Sequence, residues 1–265
     1  MLKGFCGGKV FAHVEGEGDL VVLLMHGWGR SSGDFEEVTR LLTQSETFPR
    51  LRVIDVDLPG FGSSPLPAHA LSSYEYARQM AELLVEAQAL YAKAKSVVLV
   101  GHSLGGRIAL QMAAHEMVSN LGGVVLVSAP LIREKGNSKV ATSIKVARKL
   151  RTLGLLSEEK MERLRQRHGS DDYRKSSGVS REILVKIVNE DYRELLPMVK
   201  AETTLLYGEL DEVTPISQAK VAAQLIPNAS CVFMPNVGHH LPLQAPASVA
   251  EVILKHVDSL LGANS

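Results

Sequence analysis

The sequence predicts an α/β protein built on a mostly parallel sheet with helices on both faces, and three observations carry that reading. Short, uniformly apolar runs recur, such as Leu20–Met25, Val97–Val100 and Gly123–Val127, and this is the composition of strands buried on both sides. Between them lie stretches whose apolar residues return at three and four positions; in Ser73–Tyr91 these are Tyr76, Met80, Leu83, Leu84, Ala87 and Leu90. At Gly101-His102-Ser103-Leu104-Gly105-Gly106 a buried strand turns directly into a helix, with a serine on the hinge.

Taken in order, Lys9–Glu15 alternates like a half-exposed strand and ends in the turn Gly16-Glu17-Gly18-Asp19. Leu20–Met25 follows as a central strand and stops at a glycine-rich loop, His26-Gly27-Trp28-Gly29-Arg30-Ser31-Ser32-Gly33-Asp34. A helix is predicted from Phe35 to Leu42, then a strand over Leu51–Val56 that empties into Asp57-Leu58-Pro59-Gly60-Phe61-Gly62-Ser63-Ser64, a tight surface turn. The Ser73–Tyr91 helix, the strand before Ser103, the helix Arg107–Ala114 and the strand Gly123–Val127 complete the first half. The strand–helix rhythm then breaks. Residues 131–198 offer only helix-like segments, Val140–Leu153, Ser157–Arg167 and Arg181–Asn189, so they read as an insertion. Because the preceding strand ends beside Ser103, that insertion is expected to lie over the site as a lid, with 1–130 and 199–265 forming the core. The sheet resumes with Thr203–Tyr207, a helix over Ile216–Leu225, a short strand Ser230–Met234 and a closing helix Pro246–Leu261.

The bulk numbers narrow the function. A chain of 265 residues, 45% hydrophobic and 22% charged, can bury a full-sized core, and its zero formal charge argues against polyanion binding, so nucleic acid is not an expected partner. The N-terminal stretch lacks the apolar core of a secretory signal and no run has the length of a membrane helix, so a soluble, cytoplasmic protein is expected. Cys6 and Cys231 are the two cysteines, expected reduced, and no spacing suggests a metal or other cofactor. Charge is uneven: 131–198 holds 16 Lys and Arg against 10 Asp and Glu, so basic residues such as Arg148, Lys149, Arg163 and Arg167 could dock an acidic substrate or carrier, or simply form solvated helix faces.

Ligands of open parallel sheets bind at the carboxyl ends of the strands, where the unusual loops of this chain gather. In the Gly-x-Ser-x-Gly frame Ser103 takes strained dihedrals that project its hydroxyl, and the following helix aims free N–H groups at the same point. A serine hydroxyl needs a base, and His239, on the loop after the last strand, is the first candidate; His240 competes. The imidazole in turn needs a carboxylate on its far nitrogen, for which Asp211 is placed, with Glu209 and Glu212 as alternatives. Backbone N–H groups of Leu104 and Trp28 are candidates for an oxyanion hole. Trp28, Leu131, Val213 and His240 are expected to line the substrate pocket, although the indole could equally serve packing. His26 and His102 read as structural polar residues of their loops.

His26-Gly27-Trp28-Gly29, Asp57 to Ser64, Gly101 to Gly106, Gly208-Glu209-Leu210-Asp211 and Gly238-His239 stand in the order of the α/β-hydrolase family, which the chain resembles over nearly its whole length outside the lid. The resemblance implies an eight-stranded, mostly parallel sheet, a lid after the sixth strand, a Ser103-Asp211-His239 triad and an oxyanion hole from the Trp28 and Leu104 amides. Dehalogenase and epoxide hydrolase relatives use an aspartate where Ser103 stands. Many relatives also carry glutamate at the position of Gln244. The loop at Trp28 and the basic lid further resemble pimeloyl-acyl-carrier-protein methyl esterases, which implies an acyl chain on an acidic carrier. The expected activity is carboxylic ester hydrolysis through an acyl-serine. The same triad could instead serve C–C bond hydrolysis, perhydrolysis or acyl transfer, and a non-catalytic receptor on this scaffold is a third possibility.

Overall fold

The computed structural model describes residues 1–45, 51–91, 93–133, 157, 159–160 and 170–262. Eight strands form one sheet: β1 (Leu2–Phe5), β2 (Val10–Glu15), β3 (Leu20–Met25), β4 (Leu51–Asp57), β5 (Ser96–His102), β6 (Leu121–Val127), β7 (Thr203–Gly208) and β8 (Ala229–Met234). Their order is β1-β2-β4-β3-β5-β6-β7-β8; β1 and β2 run antiparallel to their neighbours, and every pair from β4 to β8 is parallel. Helices cover both faces of the parallel strands, so every residue of β3, β4 and β7 is buried, including the polar members of β4 and β7.

Helix α1 (Glu36–Thr43) follows a 3₁₀ turn at Ser32–Phe35, so the helix predicted from Phe35 begins one residue later. Helix α2 (Ser73–Leu90) starts on a capping box in which Ser72 and Glu75 exchange side-chain and backbone hydrogen bonds. Helix α3 (Leu104–Ala114) follows β5 directly. One face of the sheet presents Val22, Leu24, Val98, Val100, Val125, Val127 and Leu206, alternate residues of successive strands. They pack with Phe35, Val38 and Leu42 from the α1 region and with Val249, Ile253 and Val257 of the C-terminal helix. Helices α2 and α3 pack together, and α3 lies on β5 and β6. Right-handed crossovers put α1 and α3 on opposite faces, since their connections step across the sheet in opposite directions.

The chain divides into two compact units. The larger comprises 1–67, 71–132 and 191–265, and includes α6 (Ile216–Leu225), the short α7 (Leu241–Gln244) and α8 (Pro246–Gly262). The smaller comprises 68–70 and 133–190 and contains α4 (Asp171–Lys175), capped by Ser170, and α5 (Gly178–Val188), over which the helix expected at Arg181–Asn189 falls. Leu131, Ile132 and the stretch from Asp191 onward fall in the larger unit. The helix expected at Val140–Leu153 lies outside the described residues, as does nearly all of Ser157–Arg167.

Three elements, β1, α4 and α7, were not legible from residue patterns. Strand β1 is four residues long, and two of its members are exposed, so its alternation is too short to register. Helix α7 is a single turn with proline in its first turn. The eighth strand implied by the family resemblance is thus β1, at the antiparallel edge.

Candidate active site

The turn at Ser103 is built by glycines that no other residue could replace. A Cβ on Gly101 would stand 2.2 Å from the Gly105 carbonyl, and one on Gly105 would stand 2.0 Å from the Met25 oxygen. With those contacts removed, β5 passes into α3 in one residue, and Ser103 takes φ 51° and ψ −105°. Positive φ in a residue with a Cβ stores roughly 1–3 kcal/mol of strain, held here by the packed strand before it and the helix after it. Ser103 N–H bonds the Val127 carbonyl (2.9 Å) and Gly105 N–H bonds the His26 carbonyl (3.1 Å), which ties the elbow to β6 and to the loop after β3. Leu104 opens α3, where an N–H has no acceptor within its own helix.

The loops after β7 and β8 are joined by backbone bonds from Glu209 to Met234 and from Leu210 to Val237. They bring Asp211 Oδ2 to 2.9 Å from His239 Nδ1. Oδ1 of the same carboxylate accepts from the backbone of Val213 (2.9 Å) and Thr214 (2.8 Å), and Oδ2 also accepts from the Thr214 hydroxyl (2.6 Å). Burial pushes the Asp211 pKa upward, but the bonds from His239 and from the side chain and backbone of Thr214 outweigh it and hold the carboxyl at about 2. An ionised carboxylate only accepts, so the His239 proton sits on Nδ1 and Nε2 presents a lone pair. Glu209 and Glu212, the alternative acids, are exposed, and His240 is exposed with its ring centre 5.5 Å from that of His239.

His102 and His26 brace these loops, as residues with structural roles would. The buried His102 Nε2 donates to the His239 carbonyl (2.8 Å), linking the residue before Ser103 to the candidate base. Burial, reinforced by the nearby His239, lowers the His102 pKa to about 3, so this ring stays neutral. His26 Nε2 accepts from Leu58 N–H (3.0 Å) and its Nδ1 meets the Gly27 carbonyl (2.7 Å), so the Nδ1–H tautomer clasps the two loops after β3 and β4. Asp57 completes the clasp with one oxygen on Ser32 N–H (2.8 Å) and the other on Ser63 N–H (2.7 Å). The Trp28 indole packs edge-on against Phe61, centroids 5.0 Å apart. Leu131 is 1% exposed, whereas Val213 is 65% exposed.

Three contributors carried no sequence expectation as site residues. Thr214 touches both Asp211 and His239, its hydroxyl lying 3.1 Å from His239 Nδ1 and 3.2 Å from the Ser128 carbonyl. Its signal was local: an aspartate whose side chain caps N–H groups two and three residues on, ahead of a proline, makes a fixed turn. Asp57 was read only as part of a turn. Gln244, read as a local packing change, accepts from Gly238 N–H (2.9 Å) and so fixes the residue before His239.

A parallel sheet of this order, a serine at the β5–α3 elbow, and an acid and a histidine on the loops after β7 and β8 define an α/β-hydrolase. A family profile described as "alpha/beta hydrolase fold" matches residues 21–246, and the chain belongs to that family. It is similar to the pimeloyl-acyl-carrier protein methyl ester esterase of Vibrio atlanticus, 30% identical over 87% of this chain and 91% of that protein. The enzyme of the same description from Chromobacterium violaceum is 27% identical over 95% of this chain and 99% of its own. Among solved structures, an esterase from Exiguobacterium antarcticum superposes with TM-score 0.72 at 21% identity, covering 97% of this chain and 99% of that one. Among the described residues no helix is long and apolar enough to cross a membrane.

Proposed function

We propose that this protein is a serine hydrolase that cleaves carboxylic esters through an acyl-Ser103 intermediate. The observation that carries the reading is the fully bonded Asp211 carboxylate on His239 Nδ1, which leaves Nε2 as the free base on a loop bonded to the residue next to Ser103. In this reading Nε2 takes the Ser103 proton as Oγ attacks the ester carbonyl. The backbone N–H groups of Leu104 and Trp28 stabilise the oxyanion that forms. As the ester C–O bond breaks, His239 returns the proton to the departing alcohol, and a water activated by the same nitrogen then releases the acid. Trp28, Leu131, Val213 and His240 line the substrate pocket.

The names of the relatives support an ester of an acyl chain on a carrier protein as the substrate class. The segment 131–198, assigned here as the lid, carries an excess of six positive charges that suits an acidic carrier, although Arg148, Lys149, Arg163 and Arg167 lie outside the described residues. Ser103→Ala is expected to reduce hydrolysis of p-nitrophenyl and methyl esters by about 10⁴-fold or more while leaving the melting curve in place or raising it. Turnover close to wild type would defeat the reading. A screen of methyl esters of different length and charge, free and carrier-linked, then tests the substrate class.

A further inference from the structure

A cavity of about 270 Å³ with polar side chains around it lies in the larger unit, between strands β2 and β4 and α1, lined among others by His13 and Glu15 of β2, Asp55 of β4, Ser32 of the 3₁₀ turn, and Glu36 and Thr39 of α1. Every side chain lining it is polar; three are carboxyls and none is Lys or Arg. His13 and Asp55 are direct partners in the β2–β4 register, so both project from the same face of the sheet. Asp55 is 4% exposed and Thr39 is 5% exposed, and Asp55 Oδ1 is buried without a hydrogen-bond partner. A buried carboxyl of this kind is costly to keep unless something answers it.

We propose that this cavity is a binding site for a small organic cation bearing N–H donors, an alkylammonium or guanidinium group, with Asp55 at its floor and Glu15 and Glu36 at its mouth. The lining does not suit a metal ion. A metal ion needs several ligand atoms converging on one point. Among the described residues, the group of three or more Cys, His, Asp or Glu atoms lying within 4.8 Å of one another is Cys6, Glu82 and Glu86, outside this cavity. A cation with several N–H donors satisfies the orphaned carboxyl oxygen and neutralises the acidic rim.

Burial first, then the charges of Asp57, Asp34 and Glu15, raises the Asp55 pKa well above the usual carboxylate range, with the Thr39 hydroxyl pulling the other way. The titratable groups around the cavity are His13 and Glu15 on β2, Asp57 on β4, Asp34 on the turn, where Arg30 pairs with it, and Glu36 on α1. A cation in the cavity would stabilise the ionised form of Asp55 against that upward pull. Binding should release protons and tighten as pH rises through the range in which Asp55 titrates.

Calorimetric titration of the whole protein with n-butylammonium and methylguanidinium, with 1-butanol as the uncharged control and ionic strength held constant, tests the site. Repeating it in buffers of different ionisation enthalpy counts the protons. The expected result is saturable binding of at least one cation below about 10 mM, none of the alcohol, and net proton release. Asp55→Asn should weaken binding about tenfold or more and abolish the proton release. Glu36→Gln, at the exposed mouth, should weaken it a few-fold and guards against an Asp55 variant that does not fold. Ser103→Ala should bind as wild type does, which separates this site from the hydrolase reading. No cation binding, or binding unaltered by both Asp55→Asn and Glu36→Gln, overturns the proposal.

Discussion

Two aspartates of the same sheet, Asp55 and Asp211, are 4% and 5% exposed, yet they are driven in opposite directions. Asp211 stands at the end of a strand, where loop N–H groups are free to turn inward, and it accepts bonds on both oxygens. Its pKa falls to about 2 against the pull of burial. Asp55 lies within a strand, where neighbouring backbone groups are committed to the β-ladder, and its Oδ1 has no partner. Burial therefore wins and its pKa rises. The depth of a carboxylate sets the cost of its charge; the donors within reach decide whether that cost is met.

The sharpest way to break the comparison is to make both residues asparagine. Asp211→Asn offers His239 Nδ1 an amide that favours the wrong tautomer, and kcat for ester hydrolysis should fall by about 10³–10⁴-fold. Asp55→Asn should leave kcat within about threefold of wild type, because its side chain contacts none of the reacting groups. Equal losses in the two variants would mean that the distinction drawn here is wrong.

Acid and base titration separates the pair a second time. Asp211 has a folded pKa below its unfolded value, so it contributes stability that is present above about pH 4 and is lost as pH falls toward 2, on the order of 2 kcal/mol. Asp55 has a raised folded pKa, so its contribution is greatest below pH 4 and declines as pH rises toward that folded value. Melting curves between pH 2 and 8 should show Asp211→Asn losing its disadvantage at the acid end. Asp55→Asn should gain on wild type as the pH rises.

The smallest effect concerns Thr214. Its hydroxyl shares Asp211 Oδ2 with His239, so Thr214→Val leaves that oxygen one donor short and more basic toward the ring. Activity should fall about tenfold, and the acid limb of the pH–rate profile should move to higher pH. Thr214→Ser, which keeps the hydroxyl, should restore the profile, whereas loss through packing alone would lower the rate without moving the limb.

The parallel strands and long helices were legible because each is a run whose burial on two faces, or on one stripe, leaves an unmistakable apolar period. Leu20–Met25 and Ile216–Leu225 fall where the pattern puts them. Strand β1 was not, because four residues are too few to carry a period and its pairing with β2 is what makes it a strand. Within the candidate site, Ser103 was visible from its glycine frame, and Asp211 and His239 from loop chemistry at strand ends. Thr214, Gln244 and the clasp of His26 and Asp57 were not, since each acts by a hydrogen bond whose partner is set by how two loops meet.

By itself the sequence determined the alternation of elements, the elbow that no side chain but glycine permits, and the kinds of side chain at each strand end, because steric exclusion and apolar periodicity are local properties. Only the tertiary structure decided which lone pairs and protons face one another, and so why the pKa of one sunken aspartate is lowered while that of another is raised. Those answers depend on distances between segments far apart along the chain, to which no local rule has access.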